Sequence, residues 1–298
     1  MLPRSLTLRG RRFDRVCVRQ TGVGVYRGAE TYLRIGPGLA TELATHRQMA
    51  RRAFPVARIL EHGYLGRLPY YIEESLGDST LGDIFETEVD GRGSVSDESF
   101  ERFSDVIAQH AVAQARMATP RWSVGAFAEL VGVARAAALH PDLGEAVRDA
   151  FQVAGARLEQ FPGTLLHGDL HADNTCAGGV IDLEGAGRGV IGYDAVTAVF
   201  VSAMGEIDPG GGAPGYAGFS AARLRRYLSR LDDVFGALGP GPVSAVLEPL
   251  LLCRAISMCS RRHRDPAVWP IRTQLLRSTL DTVRRGGSLA ARWGLDTR

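Results

Sequence analysis

One stretch constrains this chain more than any other: His167-Gly168-Asp169-Leu170-His171-Ala172-Asp173-Asn174, followed by Val180-Ile181-Asp182-Leu183-Glu184. Short apolar runs flank the polar segment, Thr164-Leu165-Leu166 before it and Val180-Ile181 at its end. They read as two short strands holding a loop between them. Asp and Asn are favoured turn formers, so Asp-x-x-x-x-Asn alone says little. Joined to His-Gly on one side and to a strand-borne Asp-Leu-Glu on the other, it describes one arrangement. Asn174 and Asp182 are hard oxygen donors of the kind that suits magnesium. Asp169 stands where a carboxylate can accept or orient a proton.

These residues resemble the signature of the aminoglycoside phosphotransferase and choline kinase family, small-molecule relatives of the protein kinases: His-Gly-Asp-Leu-His-x-x-Asn, then Ile-Asp-x-Glu. The resemblance is tight over 164–197 and looser elsewhere. It implies an α+β, bilobal protein-kinase-like fold. A small antiparallel-sheet lobe with one main helix (1–75) would bind nucleotide, and a larger, mostly helical lobe (76–298) would carry catalysis and the acceptor. The chemistry implied is transfer of the γ-phosphoryl group of ATP, with Mg2+, to a hydroxyl of a small molecule; GTP stays open as donor. On this reading Asp169 is the catalytic base or hydroxyl-orienting group, and Asn174 and Asp182 ligate the metal. His167 braces the loop, and His171 meets either loop backbone or substrate. Glu184, two residues beyond Asp182 on a strand, shares its face and takes a second metal, a water or a structural hydrogen bond. Asp194, in Gly192-Tyr193-Asp194, anchors the loop by capping the following helix.

The N-terminal segment fits the same picture. Arg15–Arg19, Gln20–Tyr26 and Glu30–Ile35 alternate as strands, and Gly36-Pro37-Gly38 ends the run. Leu39, Leu43, Ala50 and Ala53 then follow a helical period up to Pro55, which a helix does not tolerate. Val56 to Gly63 and Leu68 to Glu74 read as two more strands. From Ser75 onward helical patterns dominate, near 80–86, 97–117, 126–139, 143–160, 192–205, 219–237, 243–259 and 270–286. Loops are expected at 87–96, 206–218 and 236–243, with Asp208 to Gly215 the most flexible part.

All 35 basic residues are arginine, and there is no lysine. A GC-rich genome accounts for such a bias; selection against reactive amines is the alternative. The lysine with which the family holds ATP phosphates is therefore missing. Arg34 stands in its place, and Glu42, on the following helix, stands where its acidic partner belongs. A guanidinium can fork onto two phosphate oxygens but is longer and planar. Gln20-Thr21-Gly22-Val23-Gly24 lies where the loop over the phosphates belongs, with Gly22 and Gly24 admitting close approach. Glu74-Ser75-Leu76 is expected to be the linker that meets adenine.

Acceptor chemistry is read from charge. Residues 199–298 hold fourteen arginines against eight acids, focused around Arg254, Arg261, Arg262 and Arg264. Such a field favours neutral or anionic acceptors over an aminoglycoside, which points to a natural product or metabolite, in antibiotic resistance or biosynthesis. The competing readings are a non-catalytic nucleotide-binding regulator, suggested by Arg34, and a kinase acting on a protein or protein-bound sugar. A net charge of +2 without an aromatic-rich basic groove argues against a nucleic-acid partner. No run approaches the ~18 apolar residues of a membrane span, and no signal peptide is seen. The cysteines Cys17, Cys176, Cys253 and Cys259 are scattered as in a reduced cytoplasmic protein. Oligomeric state stays open.

Overall fold

The computed structural model describes residues 2–19, 21–205, 219–262 and 266–292, so the expected loop Asp208 to Gly215 lies outside the described residues. The N-terminal lobe holds β1 (Ser5–Leu8), β2 (Arg11–Val18), β3 (Gly24–Arg27), β4 (Thr31–Ile35), α1 (Leu39–Arg51), β5 (Ile59–Leu65) and β6 (Leu68–Glu74). Its strands form one six-stranded sheet, ordered β1-β2-β3-β4-β6-β5, with every neighbouring pair antiparallel. The leading strand β1 escaped sequence reading, because four residues give little alternation to recognise. Strand β5 starts later than expected, while Val56 makes only an isolated bridge to Val180.

Side-chain alternation decides what the sheet presents to each side. Phe13, Tyr26, Leu33, Ile35, Tyr70 and Ile72 bury together on one face. The residues between them, Arg34 on β4 and Tyr71 on β6, are register partners and face the opposite way. That second face packs against α1 through Val23, Leu39 and Tyr71. Two charged side chains, Arg34 and Glu42, are thereby buried under the sheet.

The C-terminal lobe begins with α2 (Leu81–Arg92) and α3 (Asp97–Arg116). Helix α2 runs through most of the expected loop 87–96. A capping box between Thr80 and Asp83 starts it. Glu88 then accepts from the Ser96 backbone N–H at 2.7 Å and from the Ser99 hydroxyl at 2.8 Å, tying its far end to α3. Next come α4 (Val124–Val131), α5 (Val133–Leu139) and α6 (Gly144–Leu158). The single helix expected over 126–139 is split by Gly132, whose φ of 79° is left-handed. Strands β7 (Gly163–Leu166), β8 (Thr175–Cys176), β9 (Gly179–Val180) and β10 (Gly187–Val190) follow, then α7 (Tyr193–Gly205), α8 (Ala221–Leu238), α9 (Leu247–Met258), α10 (Val268–Arg284) and α11 (Leu289–Arg292).

Helix α9 is buried on nearly all sides, as Leu250, Leu251, Leu252, Cys253, Ala255 and Ile256 show, which makes it the axis of this lobe. Phe85, Phe100, Phe103, Phe219 and Tyr227 form an edge-to-face and stacked aromatic cluster that joins α2, α3 and α8. Each such side chain contributes roughly 1.5–3 kcal/mol by leaving water. Among the described residues no single helix is long and apolar enough to cross a membrane. Strand β7 pairs with β10, and β8 with β9. The bridges Val56–Val180 and Thr80–Cys176 fasten the β8–β9 hairpin to the junction between the lobes. The loop from His167 to Asn174 is thus held at both ends.

Candidate active site

Asp194 organises the loop from beneath. Its Oδ2 accepts the backbone N–H of His167 at 2.7 Å, and its Oδ1 accepts that of Gly168 at 2.9 Å. Oδ2 also receives His110 Nε2 at 3.0 Å and Gln114 Nε2 at 2.7 Å. Burial raises the cost of this charge, but His110 and the loop N–H groups outweigh it and hold the carboxyl below its usual range. Asp194 anchors the loop as expected, but through direct bonds to the His167 and Gly168 N–H groups and not by capping α7, within whose first turn it lies. His167 donates from Nε2 to the Ile181 carbonyl at 2.7 Å and lies fully buried. Burial pushes its pKa down, so the ring is a neutral brace. Gly168 has φ +83°, and a Cβ there would stand 2.1 Å from the Gly185 carbonyl oxygen, so only glycine fits this turn.

Asn174 Nδ2 donates to the Asp169 carbonyl at 2.8 Å, which closes the loop on itself. His171 meets two side chains of the loop, not the loop backbone: its Nε2 is 3.2 Å from Asn174 Nδ2 and its Nδ1 is 3.2 Å from Asp173 Oδ2. Asp182 follows β9 at φ +65° and caps a short 3-10 turn, Leu183–Gly185. Glu184 therefore sits on a turn and not on the strand from which a shared face with Asp182 was inferred. Burial first and the Asp182 charge second push the Glu184 carboxyl above its usual range.

Under the sheet the pairing differs from the expected one. Arg34 donates from Nε to Glu73 Oε1 at 2.6 Å, whereas its Nη1 is 3.9 Å from Glu42. Burial opposes the Arg34 charge, and Glu73 is the leading group that sustains it. Glu42 is taken by Arg19, whose Nη1 donates to it at 2.8 Å, and by the Tyr71 hydroxyl, also at 2.8 Å. Arg19 then reaches Asp182, Nη2 to Oδ1 2.6 Å, and approaches Glu184 at 3.9 Å. Tyr32 is the register partner of Glu73, so Glu73 is diagonal to Arg34 across the pair of strands. Diagonal neighbours on one face are within reach of long side chains. Glu73, and the pairing of Arg19 with Glu42 and Asp182, were missed in the sequence. The only signals were a position at the mouth of the Gly-rich turn for Arg19 and the β4–β6 register for Glu73.

A cleft of about 380 Å³ lies between the lobes, lined by Arg19, Arg34, Glu73, Leu76, Asn174 and Asp182 among others. Gly22, φ 82°, sits in the β2–β3 turn, where its N–H meets the Arg19 carbonyl at 3.0 Å. Gly24 is already in β3, and a Cβ there would come within 2.7 Å of the Tyr26 ring, so packing accounts for its missing side chain. The Glu74 side chain ion-pairs with exposed Arg58, and the Leu76 carbonyl accepts from the Gly178 N–H at 3.0 Å.

A second, smaller cavity of about 100 Å³ is lined by Asp169, Arg254, Ser257, Arg261 and Arg272 among others. Arg254, on α9 and 5% exposed, donates from Nη1 to Asp169 Oδ1 at 2.9 Å. Burial pushes the Asp169 carboxyl up, but Arg254 and then His171 outweigh it and hold the group at about 2. Arg262 is exposed and does not line this cavity, Arg264 lies outside the described residues, and Arg272 on α10 was not anticipated.

A nucleotide-sized cleft between a small sheet lobe and a helical lobe, with an Asp–Asn loop at its base, is the layout of a small-molecule kinase. Residues 10–236 match the model of the phosphotransferase enzyme family, APH, and the chain belongs to that family. Among solved structures it is similar to the aminoglycoside phosphotransferase APH(3'')-Id from Streptomyces rimosus, at 18% identity and TM-score 0.50 over 80% of this chain and 92% of that one. It is also similar to a choline/ethanolamine kinase family protein from Mesorhizobium loti, at 14% identity and TM-score 0.47 over 92% of each chain. No curated protein matches the chain in sequence.

Proposed function

We propose that this protein transfers the γ-phosphoryl group of ATP, with magnesium, to a hydroxyl of a small natural product or metabolite that carries little positive charge. Residues 1–75 would form the nucleotide lobe and 76–298 the catalytic and acceptor lobe. The observation that carries the reading is the place of Asp169. It lines an arginine-rich cavity, and its own loop supplies Asn174 to the nucleotide cleft.

The residues present fit magnesium. Asn174 spends its amide nitrogen on the loop, which turns its amide oxygen to other use, and buried Asp182 Oδ1 is met by the Arg19 guanidinium at 2.6 Å. Four carboxylates, Glu42, Glu73, Asp182 and Glu184, face two guanidiniums, Arg19 and Arg34. That is an excess of negative charge which a divalent cation offsets. Among the described residues no three His, Cys, Asp or Glu side chains converge on one point. Magnesium held by two protein ligands would complete its shell with waters and phosphate oxygens. Bound there by Asn174 and Asp182, magnesium would neutralise charge on the nucleotide phosphates.

Asp169, ionised far below neutrality, accepts a hydrogen bond from the acceptor hydroxyl and aims its oxygen. With its pKa at about 2 it is a weak base, and orientation is its main contribution. As the acceptor oxygen bonds to the γ-phosphorus, the bond from phosphorus to the bridging oxygen breaks and ADP leaves, while the acceptor proton passes to Asp169 and from it to water. Arg19 fits a contact with phosphate oxygens once its hold on Asp182 is shared with the metal. A resting role for Arg19 as a plug on Asp182 would instead favour the regulator reading. Asp169→Asn separates the two. Phosphoryl transfer should fall by about a hundredfold or more, with ATP affinity within a few-fold of the original. Retention of most activity would refute the assignment.

A further inference from the structure

The small cavity beside Asp169 is unusual in its charge. Three guanidiniums, from Arg254, Arg261 and Arg272, meet there with one carboxylate, Asp169. Arg254 is committed to that carboxylate. Arg272 is half-buried and donates from Nη1 only to the Met258 carbonyl, at 3.1 Å. Its Nε is buried with no hydrogen-bond partner. Among the described residues no carboxylate lies within ion-pair distance of Arg272 or of Arg261, which is exposed nearby.

The Met258 carbonyl ends α9, so one donor of Arg272 is explained by the negative end of that helix. The rest of the guanidinium is not. Burial, and next the neighbouring Arg254, push its pKa down, and the more distant Asp169 offsets only part of this. A half-buried guanidinium with an unpartnered Nε and no carboxylate in ion-pair distance is costly, and a ligand that supplies the partner offsets that cost. The ligand that reaches this point is the acceptor, since the same cavity is walled by Asp169.

We infer that the acceptor carries an oxyanion, a carboxylate or a phosphate, close to the hydroxyl that is phosphorylated, and that Arg272, assisted by Arg261, binds it. This rests on the phosphotransferase reading and narrows it from acceptors of little positive charge to anionic ones. Arg254 has a different task. It positions Asp169, which leaves Arg272 as the residue that selects for charge. A planar guanidinium matches a two-oxygen ligand.

Titration calorimetry with saturating magnesium and ADP, which occupies the phosphate sites of the nucleotide cleft, tests this. The probes are malate, glycerol 3-phosphate, glycerol and choline. Malate or glycerol 3-phosphate should bind, and whichever binds tighter identifies the oxyanion; glycerol and choline should not. Arg272→Gln should weaken that binding by about tenfold or more, and Arg272→Lys should recover part of it. Should Arg272→Gln fail to fold, exposed Arg261→Gln carries the test, with a smaller loss expected. Equal binding of glycerol or choline, wild-type affinity in the folded variants, or no binding of either anion at millimolar concentration would overturn the inference. Failure of magnesium and ADP to bind in the first place would instead strike the phosphotransferase reading.

Discussion

Replacing Arg34 with alanine would leave Glu73 buried beside an empty space. Both side chains are about 5% exposed, and their contact is 2.6 Å. Removing one member of a buried pair costs about 3–5 kcal/mol, because the other charge stays desolvated. In a chain of this length one kcal/mol moves the melting temperature by about 2–4 °C. Arg34→Ala should therefore melt roughly 6–20 °C lower. Glu42 is spared, since Arg19 and Tyr71 still hold it. A second effect is separable. If Arg34 also grips a phosphate, the lost charge-assisted contact is about 1.5–3 kcal/mol, or about ten- to a hundredfold in ATP affinity. The double variant Arg34→Met with Glu73→Leu distinguishes the two, because an apolar pair of similar size restores most of the stability. Thermal melts and calorimetry of ATP with magnesium give both quantities. A single variant melting within ~2 °C of wild type would refute the buried-pair argument. A stable double variant binding ATP normally would confine Arg34 to architecture and transfer the phosphate role to Arg19.

Three further outcomes follow from the site. Asp182→Ala should lose the magnesium dependence of ATP binding and Asn174→Ala should show a milder loss, because a carboxylate is the stronger ligand for a hard cation; calorimetry with and without magnesium checks it, and equal affinities in wild type and Asp182→Ala would count against the metal assignment. Gly168→Ala should cost at least about 2 kcal/mol and most of the turnover, since the left-handed φ and the Gly185 carbonyl both exclude a Cβ; a melt and an ADP-release assay measure this. His140, stacked on Trp269 at 4.7 Å, and His167 are pushed below the usual histidine range by burial. The unfolded chain then takes up their protons first, so stability holds above about pH 6.5 and falls as pH drops below it. His140→Gln should flatten that slope by at most about 1.4 kcal/mol per pH unit, as melts between pH 8 and 5 would show.

The site loop was legible because its chemistry and its turn requirements sit within one short segment. His167, Gly168, Asp169 and Asn174 bond mainly to each other, to Ile181 and to Asp194, all within the segment that resembles the family. Alternation on β4 and β6 likewise announced a sheet, and the period of α1 announced its helix. Short elements such as β1 and β10 carried too few residues for a pattern. Glu184 was misplaced because the local rule of strand alternation does not survive the left-handed turn at Asp182.

The sequence by itself determined which groups are the candidates for the chemistry: an Asp, an Asn and a second Asp at a spacing that one loop and one strand can hold, in a chain without lysine. What it left undetermined was the partner of each charge. Glu42 stands at the same spacing from Arg34 whether or not they pair. Only the packed sheet shows Arg34 turned to Glu73 and Arg19 turned to Glu42 and Asp182. Arg254 and Arg272 lie far along the chain from Asp169 and reach its cavity because α9 and α10 are packed against it. The physical reason is range. Turn geometry and side-chain period are properties of neighbours in sequence, whereas a buried charge takes its partner from whatever the tertiary fold brings within a few ångströms.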